Sequence, residues 1–487
     1  MKQLVCFCVL LIILNACTPA IDVKYQWKKT SPLEAEYSGV VIPPNIAPLN
    51  FFLKAEDHEA VVLTHGSTKV TAFKEKGTCI PEMEAWKSLL AAAQGEDIAV
   101  QHCVKTENGW AAYSEFTITV ACDSIDPYLA YRLIPPGYEG WNEMGIYQRN
   151  LETFEEKAII TNRQTNHNCM NCHSFCMQEP SKMLLHMREK HAGTLLTEAE
   201  NIIKLDTKTE QTLSALVYPH WHPNGKFIAC SVNDIKQLFH THHPNRIEVM
   251  DWDSDVVVYD IENNELLTTL SLSDKENMET FPAFSPDGKK LYFCTSRKRT
   301  MPDDYDKVRY HLCCIDFNAE HRTFGSQVDT LYQADSHRKS VSFPRISPNG
   351  RFLLMTLSDY GNFSIWHQEA DLWMIDLQKK ELKKMEKWNS QSVESYHSWS
   401  SNSHWVVFSS RREDGLYTRP YIAYIDLNGN IYKPFVLPQR EGNFYQRSMY
   451  SYNIPELLKG EVKTDNRLLV RKAVNDKPQK VKGFISK

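Results

Sequence analysis

Beyond its first seventeen residues the chain has no apolar run long enough to cross a bilayer as a helix. It has little surplus charge: 55 Lys and Arg against 60 Asp and Glu leave −5 at neutral pH, which removes the electrostatic case for nucleic acid. No G-x-S-x-G elbow occurs, and no stretch is left over for an α/β-hydrolase domain, which argues against serine hydrolase chemistry. Residues 150–180 show no amphipathic helical pattern. What the chain does have is length, 487 residues, enough for two or three domains. It also has 11 Trp, 22 Tyr and 21 Phe, spread through many short strand patterns. That favours a mainly β protein with aromatic-rich layers.

The chain opens with Met1-Lys2, an apolar run to Leu14, and Asn15-Ala16-Cys17. One positive charge, a short apolar stretch and a small residue make a secretory signal over residues 1–16, excluded from the fold. Leu14-Asn15-Ala16-Cys17 resembles the lipobox of bacterial lipoproteins. The resemblance implies cleavage before Cys17, a lipid on that cysteine and membrane anchorage through it. Thr18 follows rather than Asp, so the resemblance implies the outer membrane, facing the periplasm or the cell surface. Residues 17–40 are polar and mixed, and suit a tether.

Residues 41–125 read as a small β-rich domain, with an immunoglobulin-like module as one option. Val61-Val62-Leu63 and Phe116–Val120 read as strands, and Pro81–Gly95 as one helix burying Met83, Trp86, Leu89, Leu90 and Ala93. Residues 126–144 are too aromatic for a flexible linker and read as a connecting segment packed on a domain surface.

The densest chemistry lies at Cys169-Met170-Asn171-Cys172-His173, a C-x-x-C-H pattern. In an exported chain it reads as covalent attachment of one haem c. Cys169 and Cys172 would form the thioethers, and His173 would bind the iron from one side. Distal candidates are Met187 first and His186 second, with Met144 and His191 behind them. Other readings are a zinc knuckle that adds Cys176, a Cys169–Cys172 redox pair, or separate core cysteines. Eight further cysteines (79, 103, 122, 176, 230, 294, 313 and 314) cannot be paired from sequence. His240-Thr241-His242-His243 reads as a polar loop, and His220 and His222 as members of a strand pattern.

Repeats follow. Tyr218-Pro219-His220-Trp221-His222-Pro223-Asn224-Gly225, Phe281-Pro282-Ala283-Phe284-Ser285-Pro286-Asp287-Gly288 and Phe343-Pro344-Arg345-Ile346-Ser347-Pro348-Asn349-Gly350 share one template. Tyr396–Phe408 is a weaker fourth, with His397 at the proline's place. Apolar-Asp pairs end later strands at Asp206, Asp260, Asp316, Asp376 and Asp426. Five such pairs for four turns place a degenerate first repeat at residues 172–187, with Phe175 matching Phe284 and Met183 matching Leu291. The haem motif therefore opens the first repeat.

These repeats resemble the WD-like repeats of TolB-type β-propellers, most clearly at Phe281–Ser296. The resemblance covers about residues 145–458 and implies a six-bladed propeller, the sixth blade pairing Gly145–Ile160 with Phe444–Tyr450. The whole also resembles exported lipoproteins that join such a propeller to a haem site. Two functions follow as expectations: electron transfer with an unidentified redox partner, or a non-enzymatic scaffold for protein or glycan partners. The tail, residues 459–487, carries nine Lys or Arg against three acidic residues and reads as a solvated end.

Overall fold

The computed structural model describes residues 21–54, 58–135, 143–243 and 245–486. Six antiparallel sheets stand around a common axis as the blades of a β-propeller. Blade 1 runs Met170–Phe175, Lys182–Met187, Gly193–Glu198 and Asn201–Asp206. Blades 2 to 5 begin with inner strands Val217–Trp221, Asn277–Phe284, Ser340–Ile346 and Glu394–Trp399, and each adds three strands outward. Blade 6 is shared between chain regions: inner strand Ser451–Leu458 pairs with Tyr128–Ile134, then Gly145–Asn150 and Glu156–Thr161 follow.

The repeat template has a local physical cause. Each Pro-Asp-Gly or Pro-Asn-Gly turn joins an inner strand to the next one outward. Gly288 N–H donates to Ser285 O (2.9 Å), Ser285 Oγ donates to Asp287 Oδ1 (2.6 Å), and Gly288 sits at φ +73°. Ser347, Asn349 and Gly350 repeat this arrangement, and Ser400, Asn402 and Ser403 imitate it without glycine. In blade 2, His222 replaces the serine: its Nδ1 accepts from Asn224 N–H (3.2 Å), and its Nε2 reaches Gly288 O (3.0 Å) in the next blade. His222 is thus a turn residue.

The first repeat is where the sequence places it. Phe175 pairs with Met183 as Phe284 pairs with Leu291. Asp206 is different: it ends the outermost strand of blade 1, whereas Asp260 and Asp376 end third strands. The place equivalent to Asp260 in blade 1 is held by Glu198, at the end of Gly193–Glu198.

Four further expectations need correction. Within residues 126–144, Tyr128–Ile134 is a core strand of blade 6 rather than a connector, which accounts for Tyr128 and Tyr131; Tyr138 and Trp141 lie outside the described residues. The closing strand is Ser451–Leu458, while Phe444–Arg447 is a short helical turn. Residues 21–40 are folded, with Val23–Gln26 paired in the N-terminal sheet and Val40 bridged to Lys433. The tail is docked: helix Asn466–Asn475 buries Leu469 and Ala473 in the core between blades 6 and 1. After it, Gln479–Lys480 adds to the outer edge of blade 1 and Gly483–Ser486 to that of blade 2.

The N-terminal domain is one nine-stranded mixed sheet with helix Met83–Ala92, rather than the two packed sheets of an immunoglobulin-like module. Glu82 caps the helix, accepting from Glu84 and Ala85 N–H. Trp86, Leu89, Leu90 and Ala93 are buried and Met83 is half-buried. This core is continuous with Trp405, Ile422 and Tyr452 of blades 5 and 6, so the domain is seated on the propeller's flank.

Candidate functional site in the propeller channel

Every inner strand carries a β-bulge at its midpoint. In blades 2 to 5 the extra residues are Tyr218-Pro219, Phe281-Pro282, Phe343-Pro344 and Tyr396-His397, and in blade 6 they are Ile454-Pro455. Blade 1 has a single-residue bulge, at Cys172. Tyr218, Phe281, Phe343, Tyr396 and Ile454 all sit at φ 47–51°, a left-handed conformation that is costly for non-glycine residues and worst for Ile454. The strain turns side chains onto the axis. Tyr218, Phe281, Phe343 and Tyr396 pack in sequence, tilted or edge-to-face, with ring centroids 4.4, 4.1 and 4.8 Å apart, and plug the channel.

Just past the bulges, one residue from each blade faces the channel: His173, His220, Ala283, Arg345, Ser398 and Glu456. Five of these, with His397, line a cavity of about 120 Å³. Its electrostatics are set by burial. Burial, then Arg132, holds His173 down to about 3. Burial and Arg345 hold His220 and His397 down to about 3 as well. Burial pushes Glu456 up to about 8, although its carboxylate accepts from Phe175 N–H (3.0 Å) and Arg345 opposes the shift. At neutral pH the three imidazoles and the Glu456 carboxyl are therefore mostly uncharged; burial lowers Arg345 too, Glu456 opposes that, and the guanidinium keeps its charge. Neither ring nitrogen of His173, nor Nδ1 of His397, makes a well-formed hydrogen bond among the described residues, although the backbone of Ile454 acts on His173 and that of Phe343 on His397. Glu456 Oε1 lies 3.9 Å from His173 Nε2.

The sequence-derived haem residues fall on this scaffold as follows. Cys17 lies outside the described residues. Cys169 is half-buried at the entry to blade 1, and Cys172 and His173 are buried in its inner strand. Met187 pairs with Met170 and His173 with Leu185, so Met187 and His173 stand on one face of the sheet, beside each other. His186 stands on the opposite face, its Nδ1 3.1 Å from Thr194 Oγ1. Met144 sulfur takes the Met170 N–H at 3.5 Å, and His191 bonds Asn166 Nδ2 at 3.2 Å.

As folded, the two distal candidates do not suit a group held by His173: Met187 is a diagonal neighbour on the same face of the sheet, and His186 lies behind it. The cavity at His173 is also well below the roughly 300 Å³ of small ordinary ligand pockets. Met187 is packed at zero exposure with Met170, Met183 and Leu185.

Sequence reasoning missed Arg345, Glu456 and His397 as a set. Their only signal is position, one residue beyond or within the bulge of each repeat.

No protein-family model matches the chain, and no curated protein does. Solved structures are similar at low identity. TolB from Acinetobacter baumannii is 12% identical with a TM-score of 0.43, over 77% of this chain and 85% of that one. A DUF4784 family protein from Bacteroides caccae is 7% identical with a TM-score of 0.36, over 82% and 94%. Prolyl oligopeptidase B from Galerina marginata is 9% identical with a TM-score of 0.34, over 69% and 42%. The six blades are read from this chain's own strand pairing. Among the described residues no helix is long and apolar enough to cross a membrane.

Proposed function

We propose that this chain is a non-enzymatic, exported binding propeller, held to a membrane through Cys17, whose channel receives a small anionic group presented by a partner. The observation that carries this reading is the Arg345 guanidinium lining a small enclosed cavity together with His173, His220, His397 and Glu456. The rings of His173 and His397 line the same cavity and supply further polar contacts, and the aromatic plug gives it a floor. A cavity of about 120 Å³ suits a carboxylate or phosphate group rather than a whole metabolite. The test is the thermal unfolding midpoint in millimolar succinate or inorganic phosphate. It should rise for the wild type and stay flat for Arg345→Met. Equal responses in the two proteins would remove the channel as an anion site. Cys17→Ser should release the body from membranes.

The second reading is the haem reading, favoured by the C-x-x-C-H pattern. It requires the entry to blade 1 to mature in a form other than the folded one described above. A haem stain on a denaturing gel, after production in cells competent for attachment, separates the two. Stain that is lost in Cys169→Ala and Cys172→Ala would establish haem, and its absence leaves the binding reading.

A further inference from the structure

Blade 2 has an oversized hairpin. Its second and third strands, Phe227–Phe239 and Ile247–Asp260, run past the blade and pair to the end, at Phe239 opposite Ile247. The hairpin leans across the propeller mouth beyond the aromatic plug. Asp251 accepts from Tyr310 of blade 3 (2.8 Å) and from Asn362 of blade 4. The tip reaches blade 4 directly: Asn245 Oδ1 accepts from Gln368 N–H (3.3 Å), and Asn245 Nδ2 donates to Tyr360 Oη (3.4 Å).

At this tip, His240, His243 and Glu248 converge, with one potential ligand atom from each lying within 4.8 Å of the others. The His240 and His243 rings are 5.1 Å apart. His240 Nε2 is buried, has no hydrogen-bond partner among the described residues, and lies 3.9 Å from Glu248 Oε1. Glu248 is itself 2% exposed. It is held from behind: Tyr360 Oη donates to its Oε1 (2.6 Å), and His367 Nε2 lies 3.5 Å from its Oε2. His367 is oriented in turn by Glu369, 3.2 Å from its Nδ1.

We propose that His240, His243 and Glu248 bind a divalent transition metal of the zinc type, clamping the blade 2 hairpin over blade 4. Two imidazoles and a carboxylate suit zinc, and three protein ligands leave one position for water. Ligand atoms around tetrahedral zinc are about 3.3 Å apart, given bonds of about 2.0–2.1 Å. The ligand atoms therefore need to close by up to about 1.5 Å, which the exposed His243 side chain can supply. Tyr360 and the His367–Glu369 pair are the outer shell such a site uses to fix a carboxylate ligand. Metal at His243 costs the bond its Nδ1 accepts from Asn245 N–H (3.1 Å), whichever ring nitrogen ligates. His242, exposed between the two ligands in sequence, is outside the cluster.

The test uses full-length, untagged protein stripped with chelator and titrated with zinc chloride in a calorimeter. Wild type should bind one more equivalent than His240→Ala/His243→Ala. His240→Ala alone should weaken that equivalent at least tenfold, and His242→Ala should stay within twofold of wild type. Glu248→Gln is judged by the absorption spectrum of bound cobalt(II), since its burial links it to folding. Loss of the tetrahedral cobalt bands in a variant with wild-type circular dichroism supports ligation. The same zinc stoichiometry in wild type and the double variant would overturn the site, as would an unchanged cobalt spectrum in Glu248→Gln.

Discussion

At the scale of single residues, burial decides what the channel groups are. Glu456 titrates near 8 in the folded chain and near 4.3 when unfolded, so between those values the folded state holds the extra proton. Its contribution to stability is therefore complete below about pH 4.3 and lost as pH rises through 8. The channel histidines oppose it. His173, His220 and His397 titrate near 3 folded and near 6.5 unfolded, so their neutral burial costs stability as pH falls below 6.5. Urea midpoints measured from pH 5 to 9 should decline toward the alkaline end in wild type. Glu456→Gln should make that decline shallower, Glu279 and Asp251 supplying the rest; an unchanged slope would mean that Glu456 is ionised in the fold. Little of this was legible in the sequence. C-x-x-C-H drew attention to His173, but Arg345, Glu456 and His397 are distant in the chain and become neighbours only through the ring.

At the scale of strands and turns, far more was legible, because the repeat is written in local chemistry. Pro-Asp-Gly fixes a turn by its own backbone needs, and alternating apolar residues fix the strands beside it. The glycines of that template are not equivalent. A Cβ on Gly288 would lie 2.3 Å from His222 Nε2, whereas nothing stands within 4 Å of one on Gly350. Both have φ near +73°, so each substitution carries the left-handed cost of about 1 kcal/mol. Gly350→Ala should lose about that much in chemical denaturation. Gly288→Ala should lose about 2–4 kcal/mol, since it also breaks the His222 contact between blades. Equal losses would show that His222 moves aside freely. Where the sequence pattern misled, a local signal stood in another role. Leu205-Asp206 resembles the other apolar-Asp pairs but ends a fourth strand, and nothing in six residues reveals how many strands precede them. Tyr128–Ile134 has no repeat template because it is the second strand of a blade whose first strand comes from the far end of the chain.

At the scale of the whole molecule, the ring is fastened twice. Ser451–Leu458 closes blade 6 at the axis, and the tail then passes around the outside, from the seam between blades 6 and 1 to the rim of blade 2. Lys204 Nζ donates to Ala473 O (2.7 Å) at the end of the tail helix, and Phe484 packs on the core of blades 1 and 2. Counting charge reads the tail as solvated because nine Lys or Arg stand against three acidic residues; the apolar residues between them carry the docking. Removing residues 465–487 should leave a monomeric propeller by gel filtration and circular dichroism, with a melting midpoint about 5 °C lower. Removing residues 451–487 should abolish the cooperative transition. If both truncations behave alike, the outer belt and the inner closure are one unit.

The shared blade also sets an order of events during synthesis. Tyr128–Ile134 leaves the ribosome early, and its partner Ser451–Leu458 only after five blades have been made. Throughout that interval one edge of Tyr128–Ile134 presents free N–H and C=O groups, with Leu129, Ala130 and Tyr131 waiting for a cover. The nascent chain is therefore most exposed to mispairing with a second copy before its last forty residues arrive, and chains stalled or clipped in that window should appear as aggregate rather than as a five-bladed ring.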